Sequence, residues 1–147
     1  MPDEYEWLTL PNNAARTLLP VDWERSPSTP EQTLIFRDGT GDGWLNVTTL
    51  ARSGSARDVL ERQHETNANA LEDYVLKRFD DSPKNGYRNT AEYEFGHREG
   101  GEDRQQVVRG WQRGNSFVQV RLSAPAQCFE KFRGVAERAF ELELRRR

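Results

Sequence analysis

The stretch AEYEFGHREGGEDRQQVVRGWQRGNSFVQVRL, residues 91–122, decides the fold. Ala91, Tyr93, Phe95 and His97 alternate with Glu92, Glu94 and Gly96, the period-two pattern of a half-buried strand. Gly100-Gly101 reverses the chain, Gln106 to Trp111 runs back, Gly114-Asn115 reverses it again, and Phe117 to Leu122 completes a three-stranded meander. Strand side chains alternate, so Val118, Val120 and Leu122 face one way and Phe117, Gln119 and Arg121 the other. Arg109 and Trp111 join Gln119 and Arg121 if the register aligns.

Outward from the meander, Ser123 and Pro125 open a closing helix lined by Phe129, Phe132, Val135, Ala136, Ala139 and Phe140. The tail then alternates Phe140, Leu142 and Leu144 against Glu141 and Glu143, which suits a short extended end. Upstream, Asn85-Gly86 is a turn signal, and Ser55-Ala56-Arg57-Asp58 reads as a capping-box start with Asp in the Glu position. Leu60, His64, Asn67, Leu71, Tyr74, Val75 and Phe79 follow at helical spacing. The expectation is one helix from Ser55 to Phe79, ending before Ser82-Pro83. Its middle, Thr66 to Asn69, is weak in helix propensity, so packing has to hold it. Thr33–Arg37 and Trp44–Leu50 are strand-like runs around the Asp38–Gly43 loop, a second hairpin signal. At the front, Tyr5 to Leu10 runs into the Pro11-Asn12-Asn13 turn cluster, Arg16 to Trp23 follows, and Ser26 to Pro30 reads as loop.

The predicted class is therefore α+β: one domain over 1–147, an antiparallel twisted sheet with helices packed against it. The expected core is Leu60, Leu71, Val75, Phe79, Phe95, Val118, Val120, Leu122, Phe129, Phe132 and Phe140. At 147 residues the chain can bury two packed layers, although its apolar fraction is only 35% and its charged fraction 31%. A net charge of -3 gives no general attraction to nucleic acid or anionic lipid. One cysteine, Cys128, allows no internal disulfide. The N-terminal MPDEYEWLTL carries acids where a signal peptide needs bases, and no run approaches membrane-spanning length. A cytoplasmic protein without membrane insertion is expected.

The Leu19-Pro20-Val21-Asp22-Trp23 segment, the hairpin, the helix from Ser55, the long meander and the terminal aromatic helix together resemble the PsbP-like superfamily. That superfamily includes DcrB-type bacterial proteins, the small Ran-binding import factor of yeast and, in similar length, cytoplasmic chaperones of bacterial type VI secretion effectors. The resemblance is topological and covers nearly the whole chain. It implies a protein-binding or chaperone-type role.

Residues able to do chemistry are sparse. A nucleophile needs a base oriented by an acid, and only His64 and His97 are available, the first inward on a helix and the second at a strand end beside Arg98 and the Gly100-Gly101 turn, where it is expected to be solvated. Cys128 starts the terminal helix beside Phe129, where a half-buried structural thiol is the plainer reading. Asp38-Gly39-Thr40-Gly41-Asp42-Gly43 looks like half a calcium loop, but its twelfth position is Thr49 instead of a bidentate Glu, and its flanks are strands. A hairpin turn explains it, two histidines are too few for zinc, and the loop lacks the end of a P-loop. No cofactor or metal is expected. Arg104, Arg109, Arg113 and Arg121 lie on the meander among Glu92, Glu94, Glu99, Glu102 and Asp103, which suits a salt-bridged face better than a nucleic-acid surface.

Trp44 and Trp111 each have two readings: a core residue or, if exposed beside Arg, an interface anchor. The leading function is a non-enzymatic protein-binding or chaperone-type adaptor, with Trp44, Arg109, Trp111, Gln119 and Arg121 as binding residues. The partner is another protein, with a secreted effector and a second copy of the chain among the candidates. The alternative is a small-ligand protein or enzyme with a pocket between helix and sheet, using His64, Tyr74 or Glu94. A third is an obligate subunit-assembly domain.

Overall fold

The turns of the meander place its strands in unbroken antiparallel register. The computed structural model describes residues 4–10, 14–26, 33–84 and 86–144. Strand β1 is Tyr5–Thr9, β2 Ala15–Pro20, β3 Glu24–Arg25, β4 Thr33–Arg37 and β5 Trp44–Ala51. Helix α1, Ala56–Ala70, comes next, then β6 Glu72–Asp80, β7 Thr90–Glu99, β8 Glu102–Arg113 and β9 Ser116–Pro125. Helix α2, Phe129–Ala139, and β10, Glu143–Leu144, close the chain. A seven-stranded sheet has the order β3-β4-β5-β9-β8-β7-β6, and a three-stranded sheet the order β1-β2-β10. The hairpins, the meander, the closing helix and the extended tail stand as the sequence predicts. The expected turns at Pro11–Asn13 and Asn85, and the loop residues 27–30, lie outside the described residues.

The two helices pack on opposite faces of the large sheet. Helix α1 lies over β6, β7 and β8, while α2 lies over β8 and β9 and also touches β2. Phe129, Phe132, Val135, Ala136, Ala139 and Phe140 of the closing segment share one core with Val118, Val120 and Leu122, with Leu10 just after β1, and with Ala15 and Leu19 of β2. On the other face, Ala56, Val59 and Leu60 of α1 pack with Tyr93, Phe95, Val108 and Phe117. Gly110 is required here, because a Cβ at that position would stand 2.9 Å from the Phe117 ring.

The Ser55 cap forms as expected, with the Ser55 hydroxyl accepting from the Asp58 N–H at 3.0 Å. The other end of the helix is a correction. The helix stops at Ala70, with Leu71 extended, and Glu72–Asp80 is an edge strand paired with β7. The polar Thr66–Asn69 stretch gives little support to continuation, and Tyr74, Val75 and Phe79 are as well suited to strand as to helix. Asp73, at φ 52, redirects the chain. Val75 is consequently 58% exposed on the sheet edge and not core, and Leu71 and Phe79 are half-buried, while the remaining predicted core residues are buried.

Candidate binding face beside the first helix

Directly opposed residues in an antiparallel ladder project to the same face. Arg109 stands opposite Val120 and Trp111 opposite Val118, so both lie on the α2 face of the sheet. Gln119 and Arg121 lie on the α1 face. The register thus separates the five predicted binding residues. Trp111 has no exposed surface and meets Phe140 edge-on at 6.2 Å, which makes it core and not a contact residue. Arg109 bonds Glu92 at 2.6 Å and lies 4.4 Å over the Phe140 ring. The expected pairing of meander arginines with meander acids holds for Arg109 with Glu92 and for Arg104 with Glu99 and Glu102, but not for Arg121; Glu92 also pairs with Arg78, and Glu94 bonds Arg78, Arg133 and Gln105. Burial pushes the Glu94 carboxyl up, but the Arg133 hydrogen bonds and charge outweigh that and hold it below the ordinary range.

The α1 face carries a polar layer that the sequence reading missed. Arg121 donates to Gln106 Oε1 at 2.6 Å and to Gln63 Oε1 at 2.9 Å. Gln63 also donates to Gln119 Oε1 and accepts from the Tyr93 hydroxyl at 3.2 Å, and Asn67 donates to that hydroxyl at 3.1 Å. Burial raises the Tyr93 phenol, against the pull of Arg121. The signal available was Gln63 and Asn67, polar residues four apart on the inward stripe of α1.

Beyond this layer the sheet continues as β5, β4 and β3, away from the strands α1 lies over. Trp44, Asn46, Thr48 and Leu50 of β5 and Thr33, Ile35 and Arg37 of β4 share the α1 face by register with β9. Leu50 is 38% exposed, and Ile35, Trp44, Asn46 and Thr48 are partly exposed. Trp44 is held in place by its indole N–H donating to the Gly41 carbonyl at 2.9 Å and by the Arg37 guanidinium 4.0 Å over its ring. Trp44 and Arg121 therefore border one continuous surface, with Gln119 buried in the polar layer beneath it.

Of the residues considered for catalysis or ligand binding, His64 and Tyr74 meet, and Glu94 lies apart from them. His64 Nδ1 is 2.7 Å from the Tyr74 hydroxyl on the α1 face, whereas Glu94 is on the α2 face. Burial pushes the Tyr74 phenol up to about 12. His97 is buried, not solvated as its strand-end position suggested, and burial lowers its pKa. Burial also pushes the Cys128 thiol up. In the Asp38 loop the carboxylate accepts from the Gly43 N–H at 3.0 Å and the Thr40 hydroxyl at 2.7 Å, the bonding of a turn.

The chain superposes on solved structures over nearly its full length. The fold is PsbP-like. The cyanobacterial PsbP (CyanoP) of Synechocystis sp. PCC 6803 superposes with a TM-score of 0.66 at 15% identity, covering 96% of this chain and 92% of that one. LpqN of Mycobacterium tuberculosis, involved in cell envelope biogenesis, gives 0.67 at 11% identity over 97% and 91%. PA94 of Pseudomonas aeruginosa, a protein of unknown function, gives 0.60 at 15% identity over 98% of both. No family model and no curated protein sequence matches the chain. At these identities the PsbP-like likeness is one of fold. No described helix is long and apolar enough to cross a membrane.

Proposed function

We propose that this chain is a non-enzymatic, chaperone-type adaptor that holds a segment of another protein on the open part of its large sheet, beside α1. The observation that carries this reading is the surface from Leu50 and Thr48 through Trp44 to Arg121. It is a sheet face with partly exposed apolar side chains where α1 does not lie. Trp44, Gln119 and Arg121 remain binding residues in this reading. Arg109 and Trp111 instead hold α2 against the sheet. A PsbP-like fold supports an adaptor role by analogy alone, since folds host many functions. A cytoplasmic setting and a secreted effector as the partner belong to the same reading.

The test is affinity purification from the native host with the wild-type chain beside Leu50→Glu and Thr48→Arg. Both substitutions sit at partly exposed positions and leave the two cores intact. A partner retained by the wild type and lost by both variants, with unchanged thermal melting, is the expected result. Retention by both variants would place the interface elsewhere.

A further inference from the structure

Resting on that reading, we propose that the bound segment is acidic and sets a side-chain carboxylate on Arg121. The arginines of the α2 face are neutralised by the chain itself: Arg78 and Arg109 pair with Glu92, and Arg133 with Glu94 and Glu130. Arg121 is different. It is partly buried, its hydrogen bonds run to the amide oxygens of Gln63 and Gln106 and to the neutral Tyr93 hydroxyl, and no described carboxylate pairs with it. Amide oxygens satisfy N–H groups without cancelling the charge, and a guanidinium has five N–H donors, more than these contacts use. A planar carboxylate is the ligand that matches such a fork.

The surroundings point to the same ligand. Asn46 stands directly opposite Arg121 on β5, and its buried amide oxygen, an acceptor without a partner, suits a backbone N–H of the bound segment rather than its carboxylate. Among the described residues, the side chains of β4, β5 and β9 on this face include Arg37 and Arg121 but no acid, and Glu24 stands opposite Arg37 on the far edge strand. Arg62 completes the basic rim. Helical spacing sets Arg62 on the side of α1 away from Arg57 and His64, which contact Asp81 and Tyr74 at the β6 side. Arg62 is exposed and makes no ion pair with a described residue. Arg37, Arg62 and Arg121 around a partly apolar face, with Glu24, Glu99 and Glu102 towards its ends, give a local potential that favours an acidic partner and disfavours a basic one.

The experiment selects a displayed random-peptide library on the full purified chain. Enriched sequences should share Asp or Glu at a fixed distance from an apolar residue. A synthetic peptide of that consensus should lose about tenfold in affinity to Arg121→Gln and several-fold to Arg62→Glu, weaken with added salt, and fail to bind Leu50→Glu. Replacing its acid with Lys should restore preference in Arg62→Glu. Because Arg121→Gln disturbs a buried network, the exposed Arg62→Glu carries the test if the first variant melts early. Peptides that need Leu50 but show no acidic preference, or that bind Arg62→Glu and folded Arg121→Gln as tightly as wild type, would overturn the acidic assignment and leave the adaptor reading standing. Binding insensitive to Leu50→Glu, or no enrichment at all, would overturn both.

Discussion

Gln63 of α1 and Arg121 of β9 meet at 2.9 Å, Nη2 to Oε1, across 58 positions of chain. The contact ties α1 to the central strand of the large sheet. Removing it tests how much of the helix docking is polar. Gln63→Ala deprives Arg121, Tyr93 and Gln119 of a partner at once, so a loss of about 1–3 kcal/mol is expected by urea denaturation. A change near zero would mean that Leu60 and Val59 alone hold the helix.

Trp111 and Phe132 belong to one core, Trp111 against Phe140 and Phe132 edge-on to Trp23 at 5.9 Å. Phe132→Ala and Trp111→Ala should each cost about 3–5 kcal/mol, read from denaturation midpoints. A loss below about 1 kcal/mol for Trp111→Ala would return it to the list of surface candidates.

The Phe117 ring lies against the Gly110 backbone where a methyl group would come within 2.9 Å. Gly110→Ala should therefore destabilise by about 1–3 kcal/mol. Pairing it with Phe117→Leu should recover part of that loss in a double-mutant cycle. Strict additivity would show that the two positions do not share the space.

Acid should weaken the fold in two stages. Burial holds the His97 pKa below its ordinary 6.5, so the unfolded chain binds that proton first and stability falls as pH drops below that value. Glu94 has a depressed folded pKa, so its contribution is complete above the ordinary 4.5 and is lost as pH falls through the lower folded value. His97→Phe should flatten the first stage and Glu94→Gln the second, in denaturation curves collected between pH 7 and pH 3. Unchanged pH profiles in both variants would assign acid sensitivity to other groups.

Local pattern was enough for much of this molecule. Alternation through Tyr93, Phe95, Val118 and Val120, with glycine at the turns, can satisfy backbone hydrogen bonds only as adjacent antiparallel strands. Ser55 and Asp58 mark where α1 begins, because a cap is made by neighbours in sequence. Where α1 ends was not legible. Leu71, Tyr74, Val75 and Phe79 fit a helical stripe and a strand equally, and pairing with β7 decides between them. The candidate site was half legible for a related reason. Alternation put Gln119 and Arg121 on one face of β9, but a one-residue difference in register moves every neighbouring side chain across the sheet. Only the assembled ladder shows that Arg109 and Trp111 face α2, that Gln63 and Gln106 close around Arg121, and that Glu92 and Glu94 lie on the other side. Those relations join residues far apart in the chain, and distance in sequence carries no trace of them.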